Sequence, residues 1–335
     1  MARLSSSSVL LSGLLLSAIL LGHVSSESTG ALRGGNSTTT RALAPAQCLD
    51  KATLDWTSSP NGAVLLNGKP FHIKGISWFG LEKGEEMLHG LNKRPMGDIL
   101  DFVKSNFNVI RLPFSVKFAL SDQRSKRPDP YIVGFGLEDL TSWEVLDKFM
   151  DECAERGLFV MLDQHDIVGD KAELWYEGVY TEEYSIKAWE VMFERYGNHY
   201  NMFAADLRNE PHGLASWGES SPLTDYNHYY ERLINRLARK FPDWKGAKQW
   251  PIKLDTAAAD ARLVYAPHIY GPSVYEHGYM KEPDFPNNLP AIWEKMYGFI
   301  IPDLKKGVII GEWGGSCIDL HGLGRLQQPQ LQALN

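Results

Sequence analysis

Short apolar runs alternate with longer amphipathic stretches from residue 73 to residue 311 of the chain. The apolar runs at 73–78, 109–114, 159–163, 202–208, 263–270 and 308–311 have the length of buried strands. The stretches at 97–105, 142–156, 185–196, 225–241 and 290–304 carry apolar residues at helical spacing. In "TSWEVLDKFMDECAERG", Trp143, Val145, Leu146, Phe149 and Met150 share one helical face, Thr141 can cap the start and Gly157 can end it. Strand–helix alternation specifies a parallel sheet. No glycine-rich loop with nucleotide-binding spacing follows any apolar run. The expected fold class is therefore α/β, a (β/α)8 TIM barrel rather than a doubly wound sheet. Upstream, Asn67-Gly68 between two apolar runs in "AVLLNGKPFHI" marks a β-hairpin.

The first residues follow another pattern. "MARLSSSSVLLSGLLLSAILLGHVSSES" places Arg3 before an apolar run from Val9 to Leu21, then small residues, the layout of a secretory signal cleaved after Ser26. That run is short for a membrane span, and no later stretch is longer. Expected segments are a signal peptide at 1–26, a flexible Ser/Thr/Gly-rich leader at 27–53 with a glycosylation sequon at Asn36, a barrel domain at 54–315 and an atypical tail at 316–335. The expected mature protein is secreted, extracellular and free of the membrane.

Composition adds limits. The 335 residues are 44% hydrophobic and 22% charged, ample for one large core. A formal charge of -7 and the lack of basic runs exclude a nucleic-acid surface. Cys48, Cys153 and Cys317 permit one disulfide and a leftover thiol, with no pairing fixed by spacing. No Cys or His pair has zinc-ligand spacing, so no metal and no cofactor is expected.

Barrel enzymes keep their reacting groups at the C-terminal ends of the strands. Those ends carry Arg111, then Asp163 and His165, then Asn209 and Glu210 in "FAADLRNEPHG", then His268 and Tyr270, then Glu312. Each alone is equally at home in a structural hydrogen bond. Together they put two Glu, two His, an Arg, an Asn and a Tyr on one rim. Two carboxylates from different strands suit glycosidic bond cleavage, which needs a proton donor at the leaving oxygen and an electron-rich partner at the sugar carbon. Metal chemistry would favour a closer cluster such as His-x-His, and acyl transfer a Gly-x-Ser-x-Gly turn; neither is present.

The motifs "GISWFGLE", "NVIRLPFS", "LDQH", "LRNEPHG", "LVYAPHIYGP" and "IIGEWGG", with "ELWYEG" and "ASWG", occur in an order that resembles glycoside hydrolase family 5, nearest to bacterial-type endo-β-1,4-glucanases. The resemblance covers about residues 54 to 315. It implies a retaining double displacement, with Glu210 as general acid/base and Glu312 as nucleophile. It also implies support from Arg111, His165, Asn209, His268 and Tyr270, and Trp78, Trp175 and Trp217 as stacking surfaces for glucose rings, with core packing as their other reading. The implied partner is a β-glucan polysaccharide met by a monomer. β-Mannanase or other β-glycanase activity, or a catalytically dead carbohydrate-binding protein, are the alternatives. About six of eight strands are recognisable. The interval "PDWKGAKQWPIKLDTAAADAR" holds no apolar β-run where the fifth strand belongs, and the residues after Gly315 hold none for the eighth. The expectation is a barrel lacking strands five and eight, with unpaired edges beside strands four, six, seven and one, from an incomplete or mis-spliced version of an active enzyme.

Overall fold

The computed structural model describes residues 16–24, 54–123, 133–169, 172–219, 221–241 and 261–316. Residues 1–15 with Arg3, the proposed cleavage point at Ser26, the whole leader with Asn36 and Cys48, the interval 242–260 and the tail from Cys317 lie outside the described residues.

In chain order, β1 (Leu16–Leu21) and β2 (His23–Val24) precede the strands β3 (Leu54–Ser58), β4 (Val64–Leu66) and β5 (Lys69–Pro70). Then come β6 (Gly75–Ser77), α1 (Met96–Asn106), β7 (Val109–Ser115), α2 (Val116–Ala119), α3 (Ser142–Arg156), β8 (Phe159–Asp166), α4 (Glu182–Tyr196), β9 (Met202–Asp206) and α5 (Tyr226–Lys240). β10 (Leu263–Tyr270), α6 (Leu289–Trp293), β11 (Gly307–Val308) and β12 (Glu312–Gly314) complete the set. All six expected strands are present.

Local chemistry accounts for several boundaries. α3 begins with a full capping box between Thr141 and Glu144 and ends at Gly157 in the left-handed region, φ 64°. Asn67 and Gly68 both have positive φ and turn β4 into β5, as a two-residue hairpin with a type I′ turn requires. The helix expected over 290–304 is helical only to Trp293; π turns follow through Leu304. Pro302 lies in that stretch and has no N–H to donate.

The main sheet runs β11-β10-β1-β9-β8-β7-β6, with β12 also paired to β10. β6 to β9 are mutually parallel, and β10 is parallel to β11 and β12. This is a TIM-barrel sheet that curls but does not close among the described residues. Its inner face holds Val109, Phe159, Met161, Phe203 and Val264, and Trp56 and Leu66 of the β3–β4 ribbon pack against them. Its outer face packs on the helices through Ile110, Leu112, Val160, Leu162 and Ala205.

The fifth position is not empty. β1 lies between β9 and β10, antiparallel to both, with Ile19 opposite Asp206 and Val264 and Ser17 opposite Ala266. Ala18 and Leu20 join the helix-facing core, and Ile19 and Leu21 the inner one. An apolar run without alternation suits a strand buried on both faces, and the same run suits an export signal. Arg262 fixes the end of β1: its Nη1 donates to the carbonyl of Gly22 at 3.1 Å, and its Nη2 meets Asp55 Oδ1 at 2.6 Å. The expectation of open edges beside the fourth and sixth strands is thus corrected, because β1 covers both. The edges of β6 and β11 remain unpaired among the described residues. A cavity of ≈ 780 Å³ lies beside them, lined by Phe71, Ile73, Ile76, Val308 and Ile309 and reaching Arg111 and Glu312. Among the described residues no helix is long and apolar enough to cross a membrane.

Leu20 is fully buried in β1. In the full chain, Leu20→Asp should lower unfolding stability by on the order of 3 kcal/mol in urea titration. Unchanged stability would mean that the segment lies outside the folded core.

Candidate active site

Arg111 lies in the first half of β7 on its inner face, with its side chain buried among acceptors. Its Nε and Nη2 donate to Asp206 Oδ2 at 3.1 and 2.9 Å, Nη2 also donates to Asn209 Oδ1 at 2.9 Å, and Nη1 donates to Glu312 Oε1. Asp163 Oδ2 lies 3.1 Å from Nη2. Three carboxyl groups thus surround one cation, and the negative charge they carry together holds Arg111 protonated against its own burial.

Glu312 starts β12, in register with His268 of β10. Burial alone would raise its pKa. Arg111, His268 and the Tyr270 hydroxyl, which donates to Oε2, outweigh burial and bring it down to about 2. Burial and the Glu312 charge push the Tyr270 phenol up, so it remains a donor.

Glu210 follows β9 after a short turn, at φ 44°, a left-handed conformation that costs a non-glycine residue about 1 kcal/mol. The strain aims its carboxylate at His268, whose Nδ1 lies 3.0 Å from Glu210 Oε1 and 3.8 Å from Glu312 Oε2. Gly311 permits that approach: a Cβ there would stand 2.8 Å from His268 Nε2. Next to Glu210, Gly213 has φ +59° and packs against the Glu173 carboxylate, whose Oε2 accepts from the Leu214 amide at 2.9 Å. One ligand atom each of Glu210, His268 and Glu312 falls within 4.8 Å of the others, a spacing that would also admit a cation. Sequence spacing misses this set because its members come from three separate strand ends.

His165 Nδ1 lies 2.7 Å from Asp163 Oδ2, and its Nε2 lies 3.4 Å from Asn209 Nδ2. Burial opposes a second proton on the ring, but the Asp163 charge and hydrogen bond raise its pKa. Arg111, His165, Asn209, Glu210, His268, Tyr270 and Glu312 are therefore one contiguous cluster.

The tryptophans divide differently. Trp175 has no exposed face: it stacks on Tyr229 with centroids 4.7 Å apart and donates to Glu182 Oε2 at 2.7 Å. Trp78 is 9% exposed, donates to the His89 carbonyl and packs edge-on against Phe149. Both are core residues here, which corrects the stacking role given to them. Trp217 is half-buried beside Tyr226. The exposed rings in the cleft are Trp313, 61% exposed, and Phe79, 50% exposed, which line one cavity with Arg111, Tyr270 and Glu312. Trp313 directly follows Glu312 in "GEWGG", a signal that sequence analysis passed over. Asp206 was also missed, although an acid closing the apolar run "MFAAD" is conspicuous. Arg208 is structural: buried, it donates to the carbonyls of His165 and Asn209. Cys153 is buried and free in α3, its thiol pushed up by burial and so unreactive.

Comparison with known proteins places the chain in a family. The model of the cellulase family, glycosyl hydrolase family 5, matches residues 64–329. An endoglucanase of Paenibacillus polymyxa is 36% identical, over 78% of this chain and 71% of its own length. The major extracellular endoglucanase of Xanthomonas campestris is 35% identical, over 74% of this chain, which spans just over half, 56%, of that relative. Among solved structures, a cellotetraose complex of an endocellulase from Pyrococcus horikoshii superposes with a TM-score of 0.71 at 27% identity, covering 84% of this chain and 88% of that one. The catalytic domain of the Xanthomonas endoglucanase gives 0.70 at 29% identity, covering 84% and 87%. With the motifs in order, a barrel sheet and paired rim carboxylates, the chain belongs to the cellulase family, glycosyl hydrolase family 5.

Proposed function

We propose that the protein is a secreted endo-β-1,4-glucanase that cleaves with retention of configuration by double displacement. The observation that carries this reading is the approach of Glu210 and Glu312. Their nearest carboxylate oxygens lie within 4.8 Å, which suits the about 5–5.5 Å carboxyl separation of retaining enzymes and not the about 6.5–9.5 Å of inverting ones. Glu312, ionised beside Arg111 and Tyr270, attacks the anomeric carbon. Glu210, beside His268, protonates the leaving oxygen and then deprotonates water. Asn209, its Oδ1 held by Arg111, keeps its Nδ2 as a donor for the sugar 2-hydroxyl.

The relatives' names, endoglucanases and an endocellulase crystallised with cellotetraose, support a β-1,4-glucan substrate. Export rests on the Arg3-led apolar layout of the N-terminus and on the relative named as extracellular. The open edges of β6 and β11 favour a second reading, a protein that binds glucan without cleaving it. Reducing-end release from soluble cellulose derivatives and from mannan separates the readings. Release from the cellulose derivative is expected, binding without release supports the second reading, and preference for mannan overturns the substrate.

Glu312→Gln should reduce turnover about 1,000-fold or more, measured on soluble cellulose derivatives, because the nucleophile is lost. Glu210→Gln should lose polysaccharide turnover but retain formation of the covalent intermediate from an aryl cellobioside whose leaving group needs no proton, seen as a burst of phenol.

The ionised state of Glu312 also affects stability. Its folded pKa of about 2 lies below the ordinary 4.5, so the pair contributes stability above about pH 4.5 that is lost as pH falls towards 2. In urea titrations over that window, wild type should lose on the order of 2 kcal/mol more than Glu312→Gln does.

A further inference from the structure

Asp163 and Asp206 are opposite each other in the parallel register of β8 and β9, both fully buried. Their Oδ2 atoms share the Arg111 Nη2 edge. Their Oδ1 atoms have no hydrogen-bond partner. Unpartnered buried carboxylate oxygens are costly, and two of them side by side call for an explanation.

The charges around the pair do not balance. Among the described residues, Arg111 of β7 is the single guanidinium contacting Asp163, Asp206 and Glu312. Two imidazoles are the other candidate cations: His165 of β8 contacts Asp163, and His268 of β10 contacts Glu210 and Glu312. Arg111 donates to Asn209 Oδ1, which fixes the amide so that Asn209 Nδ2 points its hydrogens at His165 Nε2. The other ring nitrogen, Nδ1, faces Asp163 at 2.7 Å, so His165 is committed to Asp163 and not to Asp206. Across the sheet, the in-register neighbour of Asp206 on β1 is Ile19, which offers no polar group. Among the described residues, His268 of β10 and Tyr230 of α5 also act on Asp206. A second ionised aspartate beside Glu312 would leave a buried charge uncompensated.

We propose that Asp206 is held as the neutral carboxylic acid, its proton directed from Oδ1 to Oδ1 of Asp163, and that it is the positioning residue that keeps the Arg111 fork on Glu312. One hydrogen bond then gives both unpartnered oxygens a partner, while Asp206 Oδ2, the carbonyl oxygen, accepts from Arg111 Nε and Nη2. Burial foremost, with the neighbouring Asp163 charge, raises the Asp206 pKa against the pull of Arg111, in the same direction. The guanidinium is gripped along one edge and presents Nη1 to the carboxylate that must stay ionised. The catalytic half of the inference rests on Glu312 being the nucleophile; the protonation half does not.

The test has two arms. In the infrared, full-length Glu210→Gln protein, which removes the other working acid, should show the carbonyl band of an un-ionised carboxyl at about pH 6, well above the ordinary Asp value near 3.9. Adding Asp206→Asn should remove that band, and adding Asp163→Asn should remove it too, because a lone carboxylate beside Arg111 ionises. The Asp163→Asn arm decides the matter if the Asp206 variant does not fold. No band at about pH 6, or a band that survives in every folded Asp variant, overturns the proposal. This arm needs no hydrolysis, so a chain without glucanase activity leaves it standing. In the activity arm, Asp206→Ala frees one edge of Arg111 and should lower kcat on soluble cellulose derivatives about 100-fold with little change in KM. Asp206→Asn, the neutral isostere, should recover most of that loss. An Asp206→Asn protein as slow as Asp206→Ala, or an Asp206→Ala protein as fast as wild type, overturns the positioning role.

Discussion

One guanidinium joins the fold to the chemistry. Arg111 projects from β7 and takes acceptors from β9, from the residues after it and from β12, with Asp163 of β8 at the same edge. A carboxylate as buried as Glu312 would ordinarily gain a proton and lose its nucleophilicity; the cation beside it reverses that preference. The same cation is what makes a cluster of buried acids tolerable inside a barrel.

Much of this was legible in the sequence. Thr141, the helical face after it and Gly157 define α3 because capping and periodicity are local, and the structure returns the same bounds. The polar residues at strand ends were legible because barrel geometry converts position along a strand into position on a rim. Arg111, His165, Asn209, Glu210, His268, Tyr270 and Glu312 do meet there. What sequence could not supply is which face of a loop residue is covered. Trp175 sits in a loop by sequence and in the core by packing, because Tyr229 of α5 lies flat against it. Trp313 is the converse, an exposed ring beside a buried acid.

The partner of a strand was the least legible quantity. An unbroken apolar run fits an export signal, a helix or a doubly buried strand, and nothing local decides among them. Only the gap between β9 and β10, a property of distant residues, gives the Leu16–Leu21 run a place to pair. Asp206 escaped notice for a related reason. Its importance comes from the neighbours across the sheet, Asp163 on one side and Ile19 on the other.

The place of β1 has a consequence for the order of events during synthesis. Ser17 is among the first residues to be made, yet it bonds Ala266, 249 positions later. Until β10 leaves the ribosome, the centre of the sheet has no second wall, and the apolar segment has no intramolecular site to enter. Contacts of such sequence separation form late and close a large loop. The first described strand is therefore among the last to find its place, and the middle of the sheet is completed only after both of its distant neighbours have been made.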